Sequence, residues 1–238
     1  MGPVSSAAVN RYLKQTRELY GDELFLELDP VPSKESLPEA ESQSQSSGFS
    51  PDLKLFDQQI NQCQKCALGK SRTHFVFGVG DPNASLVLVG EAPGEQEDLK
   101  GEPFVGRAGQ LLDKILIAIG RSRQKDVYIC NVLKCRPPNN RDPLAGEVEQ
   151  CEPYLIHQIN LIQPKLIVAL GRVAGKTLLN VDKPLKSMRG ILHDYHGTPM
   201  IVTYHPAALL RNPNWKPETW KDFKWIRSII DTKKYGQE

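Results

Sequence analysis

Four carboxylates crowd the stretch Gly90-Glu91-Ala92-Pro93-Gly94-Glu95-Gln96-Glu97-Asp98, which follows the apolar run Leu86-Val87-Leu88-Val89. A β-branched run stopped by Gly and Pro reads as a buried strand feeding a tight loop at its carboxyl end, the place where open α/β sheets hold ligands. A phosphate cradle would need glycines, backbone amides and a lysine. Glu91, Glu95, Glu97 and Asp98 would repel a phosphate, but such groups can orient water or accept a proton. The loop suits chemistry rather than the holding of a nucleotide phosphate.

A second set of reactive groups is the cysteines. Cys63 and Cys66 form a C-x2-C pair in polar sequence, and Cys135 and Cys151 follow. Two thiolates on one turn can grip a single metal centre, and two more complete a tetrahedral or cubane shell. Spacing leaves zinc and an iron–sulfur cluster both open. Either would staple loops near the reactive rim rather than take part in turnover. Cys130, inside Val127-Tyr128-Ile129-Cys130-Asn131, reads as a small buried hydrophobe. Nothing around the pair resembles the βαβ setting of a thioredoxin-like redox site.

These groups need a frame, and the apolar pattern supplies one. Strands are expected at 86–90, 127–131, 166–170 and 199–204, with helices at 107–120, 145–162, 172–180 and about 217–232. Alternation at this spacing implies an α/β fold on a mostly parallel sheet covered on both faces. The acidic loop, Asn131, Gly171-Arg172 and His205-Pro206 each follow one of the four strands, so four strand ends converge on one rim.

The remainder of the chain bounds the function class. No apolar run is long enough to span a bilayer, and the first residues lack a secretory apolar block. The expected location is cytoplasmic, with no membrane association, which makes the five cysteines poor disulfide candidates. Residues 8–28 read as an amphipathic helix able to dock on a protein partner. Residues 29–52, rich in Pro, Ser, Gln and Glu, read as a disordered linker. The domain proper is expected at 53–238, working as a monomer. Residues 1–50 carry a net charge of −4 and the body +6, a balance suited to a polyanionic partner.

Taken together, Cys63-x2-Cys66, GEAPGEQED (90–98), GEPFVGRAGQLL (101–112), YICNVLKCRPPNNRDP (128–143), Cys151 and HPAALLRNP (205–213) resemble the family 4 uracil-DNA glycosylases over roughly residues 58–230. The resemblance implies a three-layer α/β/α sandwich on a four-stranded parallel sheet, and uracil-containing DNA as substrate. It also implies a structural [4Fe–4S] cluster on Cys63, Cys66, Cys135 and Cys151, with zinc as the alternative occupant. Phe104 would stack on an extruded uracil, Asn131 would bond its O4 and N3–H edge, and His205 would face O2. Leu209, with Leu210 as the alternative, would fill the gap left in the duplex, and Arg211, Lys216, Lys221 and Lys224 would meet phosphates.

Where a related family carries a water-activating aspartate, this chain has Ala92, which would line the substrate pocket. The carboxylate that matters is then Glu97, supported by Asn140, or Glu91; Glu97 is the preferred choice, either to orient water or to crowd the uracil C5 position against thymine. Glu95 and Asp98 are expected to be solvated or capping residues. The alternatives to a glycosylase are a catalytically silent iron–sulfur DNA-binding module of the same fold and an α/β enzyme acting on free nucleotides.

Overall fold

The protein is described by a computed structural model covering residues 48–232. The amphipathic stretch 8–28 and most of the linker lie outside the described residues. Gly48–Asp52, assigned to the linker by composition, pack on the body. The Phe49 ring lies 5.0 Å from Phe56 and 5.6 Å from Tyr154, and Gln59 bonds both Ser50 N and the Gly48 carbonyl.

The strands are β1 (Val79–Gly80), β2 (Leu86–Gly90), β3 (Val127–Asn131), β4 (Leu166–Leu170), β5 (His193–Tyr195) and β6 (Thr198–Thr203). They form one sheet in the order β1-β3-β2-β4-β6-β5. The four expected strands make its parallel centre, with β2 paired to β3 on one side and β4 on the other. The sheet has six strands rather than four, because β1 and β5 add antiparallel edges. Two- and three-residue strands are too short to leave an alternating pattern in the sequence.

The helices are α1 (Leu53–Ile60), α2 (Leu68–Ser71), α3 (Glu95–Lys100), α4 (Arg107–Ala118), α5 (Ala145–Ile162), α6 (Arg172–Leu179), α7 (Leu185–Met188), α8 (Pro206–Arg211) and α9 (Lys216–Asp231). Side chains alternate across the sheet, so Val87 and Val89 face one helical layer and Leu86 and Leu88 the other. On one side Val87, Val89, Cys130 and Val202 pack with Leu155 and Ile159 of α5 and Ala174 of α6. On the other, Leu86, Leu88, Ile129 and Val168 pack with Leu112 and Leu116 of α4 and Phe223 and Ile226 of α9. The result is the expected α/β/α sandwich, and Cys130 is a core residue at 1% exposure.

Glycine has opposite roles in two helices. A Cβ on Gly146, in the first turn of α5, would meet nothing within 4 Å. A Cβ on Gly109, in α4, would lie 1.6 Å from the Phe104 carbonyl oxygen. Intrinsic propensity favours alanine at both sites. Gly146→Ala should therefore raise stability by about 0.5–1 kcal/mol, whereas Gly109→Ala should lower it by about 1–3 kcal/mol. Denaturant midpoints at unchanged slope would read both signs, and a neutral Gly109→Ala would contradict the close approach.

Candidate active site

The carboxyl ends of β2, β3, β4 and β6 open into a cleft of about 800 Å³. β2 sits where connections diverge to β3 and β4, the position at which parallel sheets leave a crevice. Glu91, Ala92, Glu97, Phe104, Asn131, Asn140, His205 and Arg211 all line it. These residues lie as far apart in sequence as positions 91 and 211, and the fold brings them together.

Phe104 is held by force from two sides. Its φ of 55° is one that a bulky L-residue avoids. Glu97, on α3, accepts the backbone N–H of Val105 at 3.0 Å and of Gly106 at 3.2 Å through Oε1. From the opposite side Arg123 donates to the Pro103 carbonyl at 2.9 Å and the Phe104 carbonyl at 2.6 Å. Its Nε is anchored on Asp113 at 2.7 Å. Gly109 leaves room for this loop against α4, and Gly90 leaves room for the ring, since a Cβ there would lie 2.8 Å from Phe104 Cζ. The same Cβ would lie 2.2 Å from Asn131 Oδ1, so the bare glycine at the end of β2 admits both side chains to the cleft floor.

Asn131 ends β3 in register with Gly90 and is buried. Its side-chain amide has no hydrogen-bond partner among the described residues. His205 precedes α8, and its ring lies 5.4 Å from the Phe104 ring at 31°. Its Nδ1 accepts the Ala207 N–H at 3.1 Å. Burial, helped by Arg211 and opposed by Glu97, pushes His205 down to about 4, so the ring is neutral near pH 7. With Nδ1 accepting, the proton of the neutral ring sits on Nε2.

The four acidic residues of the loop divide their work. Burial, reinforced by Asp142 and opposed by Arg172, raises the Glu91 carboxyl to about 7. Glu97 is committed to the Phe104 loop. Asp98 is buried and ties the Thr73 N–H at 2.9 Å; it caps a neighbouring turn and is not solvated. Glu95 is exposed in the first turn of α3, where a carboxylate favours the helix dipole. Asn140 does not bond Glu97: its Oδ1 accepts Arg136 Nε at 2.8 Å.

At the outer wall, Leu209 is 1% exposed and Leu210 38%. Leu209 lines a small apolar pocket together with Leu111 and Phe223, away from solvent; Leu210 is the leucine that faces solvent. Lys216, Lys221 and Lys224 are exposed on α9, and Lys221 pairs with Glu218 at 2.8 Å.

Cys63, Cys66, Cys135 and Cys151 gather in one cluster with Phe56, Leu133 and Tyr154. Donors aim at their sulfurs: Arg72 Nη1 at Cys135, the Lys134 N–H at Cys151 and the Tyr154 hydroxyl at Cys63, each at 3.3 Å. Burial raises the Cys135 thiol against the pull of Arg72 and pushes Cys151 up to about 12. Cys135 and Cys151 are buried and Cys63 and Cys66 half-buried, and donors at three of the four sulfurs match the chemistry of thiolate ligands. Among the described residues, no three His, Cys, Asp or Glu side chains are set to hold a single metal ion.

Sequence reading overlooked Arg123, Lys134, Tyr204 and Trp215. Arg123 lies in a basic turn with no signal to separate it from its neighbours. Lys134 had one, a lone cation within an apolar segment. It is fully buried, and its Nζ donates to the Asn131 carbonyl at 2.8 Å and Gln158 Oε1 at 2.6 Å.

The family model of the uracil DNA glycosylase superfamily matches residues 77–224. A type-4 uracil-DNA glycosylase of Archaeoglobus fulgidus is 46% identical over 74% of this chain and 92% of its own length. The type-4 uracil-DNA glycosylase of Thermotoga maritima is 44% identical over 67% of this chain and 84% of its own. A type-5 uracil-DNA glycosylase of Pyrobaculum aerophilum is more distant, at 32% over 55% of the chain and 64% of its own length.

The Phe104 clamp can be tested without reference to chemistry. Arg123→Met strands two carbonyls and releases a strained loop. It should lower stability by about 1–3 kcal/mol in denaturant unfolding. In a Phe104→Gly background, where positive φ costs nothing, the same change should cost more, because no strain is released to offset the lost bonds. Equal losses in both backgrounds would contradict the clamp.

Proposed function

The chain belongs to the uracil DNA glycosylase superfamily, and we infer from that premise that it excises uracil from DNA, hydrolysing the bond between base and deoxyribose and leaving an abasic site. One observation carries the assignment of roles: an aromatic face, an unpaired amide and an imidazole Nε2–H share one cleft floor. That combination suits a flat, neutral base extruded from the helix.

Uracil stacks on Phe104. Asn131 Nδ2–H donates to uracil O4 while Oδ1 accepts from N3–H; cytosine reverses both polarities at that edge. As the glycosidic bond breaks, its electron pair moves onto the uracil ring and negative charge grows on O2. The Nε2–H of neutral His205 donates to that oxygen, stabilising the departing anion. A neutral donor suits this step, because the ring has no charge to lose its hydration on burial. Water adds to the sugar carbon on the opposite face.

Glu91 is the carboxylate we assign to that water. Glu97 has one oxygen occupied by two backbone amides and acts by positioning Phe104. Ala92 lines the pocket without polar function. Leu210 fills the space left in the duplex, and Arg211, aided by exposed lysines of α9, meets the phosphates. Arg141 and Arg172 also line the cleft and add positive field for a DNA strand.

Cys63, Cys66, Cys135 and Cys151 would hold a [4Fe–4S] cluster, which when bound cross-links three separate segments behind the cleft. Zinc, with bonds of about 2.3 Å, draws its thiolates into a tight shell, whereas a four-iron cube keeps them further apart. The cluster, rather than zinc, is what the resemblance to the family 4 uracil-DNA glycosylases implies. Thiolate ligands suit a reducing compartment, and a cytoplasmic location is our reading; among the described residues no helix is long and apolar enough to cross a membrane.

Three outcomes test this reading. His205→Ala should lower uracil release by about 10²–10³-fold with a much smaller loss of DNA binding; equal losses would remove the leaving-group role. With Glu91 raised to about 7, its anion grows through that pH, so kcat/KM should climb below pH 7 and level above it. Glu91→Gln should lower the rate by about 10²–10⁴-fold and flatten this limb, while His205, neutral above about 4, adds none. A retained limb would move the role to another group. Purified protein should be brown with matching iron and acid-labile sulfide; a colourless protein with stoichiometric zinc would reverse the metal assignment.

A further inference from the structure

Tyr204 and Trp215 lie face to face at the cleft wall, with ring centroids 4.9 Å apart and planes 15° from parallel. The roles assigned above use neither ring. The Arg189 guanidinium sits 4.4 Å from the centre of the Tyr204 ring. Tyr204 is thus sandwiched between a cation and an indole. Arg189 is itself fixed by both oxygens of Asp222, at 2.9 and 3.0 Å, and Asp222 also accepts the hydroxyl of fully buried Thr203. The stack therefore stands on a rigid, buried polar network. Its free end is Trp215, which is 38% exposed.

Chain order places this stack around the DNA-facing helix. Tyr204 immediately precedes His205, and Trp215 ends the short 3-10 turn Pro213–Trp215 that follows α8 with Leu210 and Arg211. An indole held parallel to a second ring, beside an arginine and an exposed leucine, is a surface for another flat ring. We propose that Trp215 is a stacking site for the unpaired base next to the extruded uracil, and that it serves single-stranded DNA in particular. The proposal rests on the reading of the cleft as the uracil pocket.

The physical reason for the strand preference is competition. In a duplex the neighbouring base pairs with the opposite strand and stacks within the helix, so leaving that stack for Trp215 gains little. In a single strand the extrusion of uracil leaves its neighbour without a partner on one face, and the indole supplies it. Every base has a π-face, so the site tolerates any neighbour. The stack is already assembled, which keeps the ordering cost on binding small.

The test compares Trp215→Leu, which keeps an apolar cover over Tyr204 but removes the π-face, with Trp215→Phe, which retains one. Thermal midpoints confirm that both variants fold. Uracil release is measured on single-stranded and duplex oligonucleotides of matched sequence. Trp215→Leu should raise KM on the single strand about tenfold beyond any rise on the duplex, with kcat changing less than KM, and Trp215→Phe should recover most of the loss. Binding of a single-stranded oligonucleotide bearing an abasic site should quench the fluorescence that distinguishes wild type from Trp215→Phe. Equal effects on the two substrates, or no quenching, would overturn the proposal. Retention of full uracil release by His205→Ala would instead overturn the pocket reading, whatever the Trp215 variants do.

Discussion

The working surface of this protein depends on keeping Phe104 in a backbone conformation that it does not favour. A bulky residue at φ 55° carries strain on the order of 1–3 kcal/mol, and such strain persists only where surroundings over-determine it. Here the surroundings are explicit. Glu97 holds the two amides that follow Phe104, Arg123 holds the two carbonyls at and before it, and Gly109 leaves the backbone room against α4. Each grip restrains the same short loop, so together they hold the ring on the cleft floor. The acidic loop after β2 is thus partly structural: one of its carboxylates spends its hydrogen-bonding capacity on a neighbouring loop.

Burial then sorts the remaining ionisable groups. Removing water disfavours charge of either sign, and two ionisable groups of the cleft respond in opposite directions. The Glu91 carboxyl rises to about 7 and the His205 imidazole falls to about 4. At neutral pH the cleft therefore presents a neutral imidazole N–H and a carboxylate near its titration midpoint. Glu97 and Arg172 moderate these shifts, and Arg211 and Asp142 deepen them. One low-dielectric cleft thus shifts an acidic and a basic group by the same mechanism.

The thiol centre and the base pocket are joined through Lys134. Its backbone N–H points at Cys151 Sγ, and its buried ammonium bonds the carbonyl of Asn131. A buried ammonium is costly unless hydrogen-bonded or near negative charge, and thiolates at the adjacent centre would supply that charge. The segment from Asn131 to Cys135 is short enough that holding its last residue on a metal centre also restrains its first. A structural centre so placed would stiffen the strand end that carries Asn131 into the cleft.

Much of this was legible in the linear chain. Apolar runs bounded by turn residues marked the four central strands nearly to the residue, because buried parallel strands must be continuous in Val, Ile and Leu. The positions of Glu91, Glu97, Phe104, Asn131 and His205 in the cleft followed from strand ends and motifs, since each stands at or just after a local signal. What the chain could not decide was orientation and partnership. Leu209 and Leu210 are identical in type and adjacent, yet only packing of α8 against α4 and α9 determines which one is buried. Glu91 and Glu97 are likewise the same residue, and their division of labour depends on which carboxylate the loop at 105–106 reaches. Arg123 and Trp215 acquire their meaning from carbonyls and rings far away in sequence. Residue type and spacing are local properties, whereas burial, hydrogen-bond partners and shifted acidity are set by what the folded chain brings within a few ångströms; the sequence determined the frame and the chemical inventory, and the tertiary structure decided which member of each like pair does the work.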